Sequence, residues 1–166
     1  KGHRNPQGLF VDKRNQIVLK TEHGPMGGDE INLIKLNNMQ GKIPNYGWPI
    51  VSAGEHYGGK SAEKNKTKYI KYPLYKSHKK FGFIEPLKSF VPSIGISEIV
   101  KIDKDKYVAS SLKDQSLYFF NLDEENKIKN LERIKVFERV RDIHFFDKRL
   151  FLFLENTSTL GVIKIQ

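Results

Sequence analysis

The chain contains no cysteine, which rules out disulfides, thiolate nucleophiles and cysteine-ligated zinc or iron–sulfur centres. No apolar run approaches the 18 residues that a membrane-crossing helix requires, so no membrane span is expected. No long segment carries convincing helical periodicity, and only Asp29–Asn38 has apolar spacing that fits helix or strand. Arginine is missing from residues 60–80, although Lys60, Lys64, Lys66, Lys68, Lys71, Lys76, Lys79 and Lys80 crowd there. Those lysines, with Tyr69, Tyr72 and Tyr75 between them, could form a polyanion-binding patch or a solvated face. The lack of arginine, which pairs phosphates bidentately, favours the solvated face, and no nucleic-acid partner is expected.

What is present is a basic chain, 29 cationic against 19 anionic side chains, a formal net charge of +10. Its 166 residues suffice for one domain with a substantial core. Short apolar strands repeatedly flank turns built on Asp-Lys. Gly8–Val11 passes through Asp12-Lys13 to Ile17–Leu19, Glu98–Ile102 through Asp103-Lys104 to Tyr107–Ser110, and Ile143–Phe146 through Asp147-Lys148 to Leu150–Leu154. Ser116–Leu122, Ile128–Phe137 and Gly161–Ile165 complete the strand candidates. The reading is all-β, with recurring four-stranded antiparallel units of the kind that build propeller blades, although sandwiches and barrels share that rhythm. Residues 1–166 are taken as one domain, with 52–82 a long loop between blades.

The polar residues concentrate in loops rich in glycine and proline, where functional groups are commonly displayed on a rigid scaffold. These are Gly2-His3-Arg4-Asn5-Pro6-Gln7-Gly8-Leu9, Glu22-His23-Gly24-Pro25, Gly28-Asp29-Glu30-Ile31-Asn32 and Asn45-Tyr46-Gly47-Trp48-Pro49. Pro92-Ser93, Ser111-Leu112-Lys113 and Arg139-Val140-Arg141-Asp142 follow in order. Together the seven segments resemble the soluble quinoprotein sugar dehydrogenases, also called glucose/sorbosone dehydrogenases.

The resemblance implies a six-bladed β-propeller, about three of whose blades fall in this chain. It also implies pyrroloquinoline quinone and calcium as cofactors, an aldose sugar oxidised at its C1 hydroxyl, an external electron acceptor and a periplasmic or secreted location. By the same resemblance Arg4 stands beside the reacting quinone carbonyl, where a guanidinium would stabilise a developing oxyanion. Asn5 is a cofactor contact, and Lys113, Arg139 and Arg141 pair with cofactor carboxylates. The backbone carbonyls of Gly24 and Pro25 hold the catalytic calcium, while Asp29, Glu30 and the backbone of Tyr46 hold a structural one. The alternation Arg139-Val140-Arg141 places both arginines on one face of a strand.

The family's proton-accepting histidine belongs upstream of the Arg4 loop, so this chain is expected to hold most of the cofactor cradle without the base. His3 is not that base, and His23, His56, His78 and His144 show no ligand spacing and read as packing or surface residues. A non-catalytic binding module on the same scaffold is the alternative. Pairing of two half-propellers into a homodimer is a further expectation.

Overall fold

The computed structural model describes residues 1–38, 41 and 43–165. The fold is all-β, in three antiparallel sheets. The first joins β1 (Pro6–Asp12), β2 (Ile17–Glu22), β3 (Asp29–Lys35) and β4 (Lys88–Phe90) in that spatial order. The second joins β5 (Ile96–Asp103), β6 (Lys106–Ser111), β7 (Ser116–Leu122) and β8 (Ile128–Lys135), again as a meander. The third holds β9 (Val140–Phe146), β10 (Arg149–Leu154) and β11 (Thr159–Lys164), so among the described residues it has three strands where four were expected.

The sheets stack in chain order. One apolar core, with Leu19, Ile31, Ile99, Tyr107 and Phe120, lies between the first and second sheets. Another, with Val108, Leu117, Val140, Ile143 and Leu150, joins the second to the third. The first strands β1, β5 and β9 lie side by side. Gly8 shows how closely: a Cβ there would stand 2.8 Å from Glu98 Cα and from Ile99 N, so a side chain would force the two strands apart.

The ambiguous segment after Gly28 is a strand. Asp29–Lys35 pairs with β2 on one side and, at Asp29–Ile31, with β4 on the other. This pairing also corrects the reading of residues 52–82. They do not link two sheets; they belong to a long excursion between β3 and β4 of one sheet. Among its described residues the excursion contains one α-helix, α1 (Lys66–Lys71), besides short 3-10 turns, and is tied back by the Met26–Glu55 bridge. Three-residue β4 was not legible because its partner lies about sixty residues upstream.

Candidate active site

Arg4 and Asn5 precede β1 at the end of the first sheet. The Arg4 backbone N–H donates to Glu22 Oε2 at 2.8 Å, and His23 N–H donates to Asn5 O at 2.9 Å. These bonds hold the opening loop against the turn after β2. Arg4 Nη1 reaches His23 O at 3.2 Å, and the guanidinium carbon sits 5.4 Å from the centre of the Trp48 ring. That turn is forced by glycine: Gly28 has φ +75°, and a Cβ on it would collide with the Gly54 backbone.

Arg4, Asn5, Gly24, Pro25, Asp29 and Lys113 all line one open depression of about 320 Å3. Lys113, from the second sheet's β6–β7 turn, thus meets residues 4–29 of the first sheet. Among the described residues neither Arg4 nor Lys113 pairs with a carboxylate. No protein donor among them reaches the carbonyl oxygens of Gly24 or Pro25. The wall therefore offers unmatched positive charge next to unused carbonyl oxygens, a setting for an anionic ligand accompanied by a hard cation. Met26, Tyr57 and Ser93 line it too. Tyr57 gave no signal in the sequence, because it arrives only through the folding-back of the β3–β4 excursion.

Arg139 and Arg141 are not brought to this depression. Both lie on one side, as their alternation required, but there they clasp Glu155: Arg139 Nη2–Oε1 3.1 Å, Arg141 Nη2–Oε2 2.6 Å. Their charge is largely met within the third sheet.

The side chains of Asp29 and Glu30 are not brought together. They are successive residues of β3, so their side chains leave on opposite faces. Asp29 is 1% exposed and accepts four bonds, from Ser93 Oγ (2.6 Å), Gly95 N (2.7 Å), Ile96 N (3.1 Å) and Gly24 N (3.2 Å). It is a strap tying the turn after β2 to the start of β5. Glu30 lines a small space of about 10 Å3 with Glu22, Tyr46 and His78, room for about one water.

Around that space the charges are unequal. Burial pushes the Glu30 carboxyl up to about 7. Burial would also raise Glu22, but His3 Nδ1 at 3.2 Å, Lys20 Nζ at 2.7 Å and Arg4 N at 2.8 Å overcome it and hold Glu22 at about 2. Burial lowers His78, whose Nε2 lies 3.7 Å from Glu30 Oε1. His56 and His78 are buried structural residues, and His144 is exposed. Among the described residues no group of three or more His, Asp or Glu side chains is arranged to hold a metal, so a cation at the depression lined by Arg4 and Lys113 would depend on carbonyl oxygens. No helix among them is long and apolar enough to cross a membrane.

The glucose/sorbosone dehydrogenase family model matches residues 1–160. The chain belongs to that family. It is 34% identical over 149 residues to an uncharacterised Synechocystis protein, covering 86% of this chain and 32% of the relative. Over 71 residues it is 44% identical to quinoprotein glucose dehydrogenase B of Acinetobacter calcoaceticus, covering 40% of this chain and 13% of that protein. The crystal structure of apo soluble aldose sugar dehydrogenase from Escherichia coli superposes with a TM-score of 0.76 at 26% identity, over 98% of this chain and 46% of that one. This family member thus spans less than half the length of each of these relatives.

Proposed function

We propose that this chain forms the cofactor-holding part of a quinone-dependent sugar dehydrogenase that oxidises the C1 hydroxyl of an aldose to the lactone. Its sheets would be three blades of a six-bladed propeller, and electrons would leave to an external acceptor. The observation that carries the proposal is the meeting of Arg4 and Lys113, both without a carboxylate partner, at a depression walled by the Gly24 and Pro25 backbone. The residues fit pyrroloquinoline quinone with calcium, a multiply charged anion paired with a hard cation. When bound, that group supplies the two-electron acceptor that no side chain of this chain offers.

This chain's own residues would do the rest. Lys113 and Asn5 would hold the anion's polar rim, and the Gly24 and Pro25 carbonyls would hold calcium. The Arg4 guanidinium, steadied by His23 O and the Trp48 face, would keep a fixed positive charge where negative charge gathers during hydride transfer. Glu22 would act as a positioning residue, because its carboxylate fixes the Arg4 backbone. A structural calcium would fall to Glu30 and the Tyr46 carbonyl, with Asp29 kept as a strap. The proton-accepting histidine would come from outside these residues, so the chain alone would bind cofactor and turn over poorly.

The test is titration with pyrroloquinoline quinone in the presence and absence of calcium, followed by absorbance. Saturable, calcium-dependent binding that weakens in Lys113→Gln supports the proposal. Absence of binding would favour a non-catalytic binding module.

A further inference from the structure

The positive charge of the chain collects on the β3–β4 excursion. Residues 60–80 carry eight lysines against one carboxylate, Glu63. Glu63 pairs with Lys66, and Glu55 pairs with Lys76. Among the described residues Lys60, Lys64, Lys68, Lys71, Lys79 and Lys80 have no carboxylate partner, and all six are exposed.

The excursion holds several of these charges in place. Lys60 Nζ stands 5.8 Å from the centre of the Tyr69 ring, Lys71 Nζ 5.2 Å from Tyr72 and Lys80 Nζ 6.0 Å from Phe81. The rings are anchored in turn. Buried His56 meets Tyr69 edge-on at 4.5 Å and bonds Tyr72 O through Nε2 at 2.8 Å. Buried Asn65, just before α1, donates to Tyr57 O at 3.1 Å and Gly59 O at 2.7 Å. A positive face built on such a frame needs little ordering when a partner binds.

The same contacts narrow the partner. Tyr69, Tyr72 and Phe81 already carry the chain's own lysines, so they are poor platforms for nucleic-acid bases, and no arginine forks a phosphate there. Ile70 is 85% exposed between Lys68 and Lys71, but one such side chain on a six-residue helix gives too little apolar area to enter a lipid surface. An apolar contact ringed by unmatched cations suits a protein whose own surface carries carboxylates.

Position identifies what such a protein would do. Lys68, Tyr57 and Tyr72 line a depression that shares Arg4 and Pro25 with the one lined by Lys113. A protein seated on this face would stand at the mouth of the candidate active site. Oxidation of a C1 hydroxyl to a lactone releases two electrons and two protons. Haem and iron–sulfur carrier proteins take one electron each, so two successive dockings would remove both electrons while the protons pass to water. We infer that the lysine-rich excursion is a docking surface for an acidic one-electron carrier protein. The inference rests on the function proposed above for the source of the electrons, and on separate residues for the surface.

Docking is measured by calorimetry on the full chain without quinone or calcium, at low ionic strength. The probes are cytochrome b5, an acidic haem carrier, and cytochrome c, a basic one. Saturable binding of cytochrome b5 alone is expected, weakening at least about tenfold as salt rises to roughly 0.15 M. The triple change Lys64→Gln, Lys68→Gln and Lys71→Gln should also weaken it about tenfold, with the fold checked by circular dichroism. Removing equal charge around the β5–β6 and β7–β8 turns, by Lys104→Gln, Lys127→Gln and Lys129→Gln, should change it less than about twofold. No binding of cytochrome b5, equally tight binding of cytochrome c, or equal losses in the two triple variants would overturn the surface. So would binding of phosphatidylglycerol vesicles or a single-stranded oligonucleotide by a chain that ignores cytochrome b5. Quinone binding without docking sinks the surface and spares the dehydrogenase proposal. Docking by a chain that binds no quinone overturns the carrier role together with that proposal.

Discussion

Arg4 and Lys113 differ from Arg139 and Arg141 in what surrounds them, although the same resemblance assigned all four to one ligand. The first two line an open depression with no carboxylate beside them. The second two share Glu155, which answers both guanidinium groups. A cation without a counterion at a concave surface keeps its free energy of pairing for a ligand. A paired one must first give up its partner, so only the unmatched charges are ready to bind an anion. Asp29 extends the contrast to a buried group whose every bond is internal. Unmet charge lies at the site, and met charge holds the scaffold.

The largest effect is expected where charge is buried and fully met. Asp29→Ala would leave the Gly95 and Ile96 N–H groups without their acceptor and should cost about 3–5 kcal/mol in a urea unfolding titration. A loss below about 1 kcal/mol would show that Asp29 is not the strap.

Next comes the ligand-facing pair. Arg4→Gln should weaken quinone binding by about 10- to 100-fold, as expected for losing a charge-assisted bond, while Arg141→Gln should change it less than about threefold. Equal losses in the two variants would erase the distinction between unmatched and matched cations.

A buried group far from the site tests the same idea by acid. Asp12 is buried, which would raise its pKa, but bonds from Lys101 Nζ at 2.6 Å and Tyr107 Oη at 2.7 Å prevail and hold it at about 2. Because the folded value lies below the unfolded 3.8, the stabilisation is present above about pH 4 and is lost as pH falls toward 2. It should amount to about 2 kcal/mol across that window, and Asp12→Asn should flatten the corresponding limb of urea midpoints against pH.

The smallest effect is expected at Glu155. Its two ion pairs are partly exposed and screened by solvent, so Glu155→Gln should leave the urea midpoint nearly unchanged in the same titration. If that change instead tightens quinone binding, the freed Arg139 and Arg141 reach the ligand and the contrast fails.

The parts of the fold legible in sequence were those set by local chemistry. Asp-Lys turns between apolar runs located Ile96–Asp103, Lys106–Ser111 and Val140–Leu154 to within a few residues, because turn geometry and alternation act over neighbours. The face of β2 opposite the core residues Ile17 and Leu19 was not legible. Lys20 and Glu22 are buried there, since each supplies the other's counter-charge and Asn32 completes the bonding, a compensation that alternation cannot reveal. Tyr57 was hidden for a similar reason: its place depends on the Met26–Glu55 bridge.

The sequence by itself determined an all-β chain with polar loops rich in glycine and proline, and only its resemblance to a known family implied that Arg4, Asn5, Gly24, Pro25 and Lys113 form one group. Those are matters of residue type and order, which local propensity and motif spacing carry. Only the tertiary structure decided which charges were still available. Glu155 satisfies Arg139 and Arg141, four internal donors satisfy Asp29, and β3 turns Glu30 away from it. Availability is a property of neighbours brought together through space, and those neighbours lie between five and 67 residues apart along the chain.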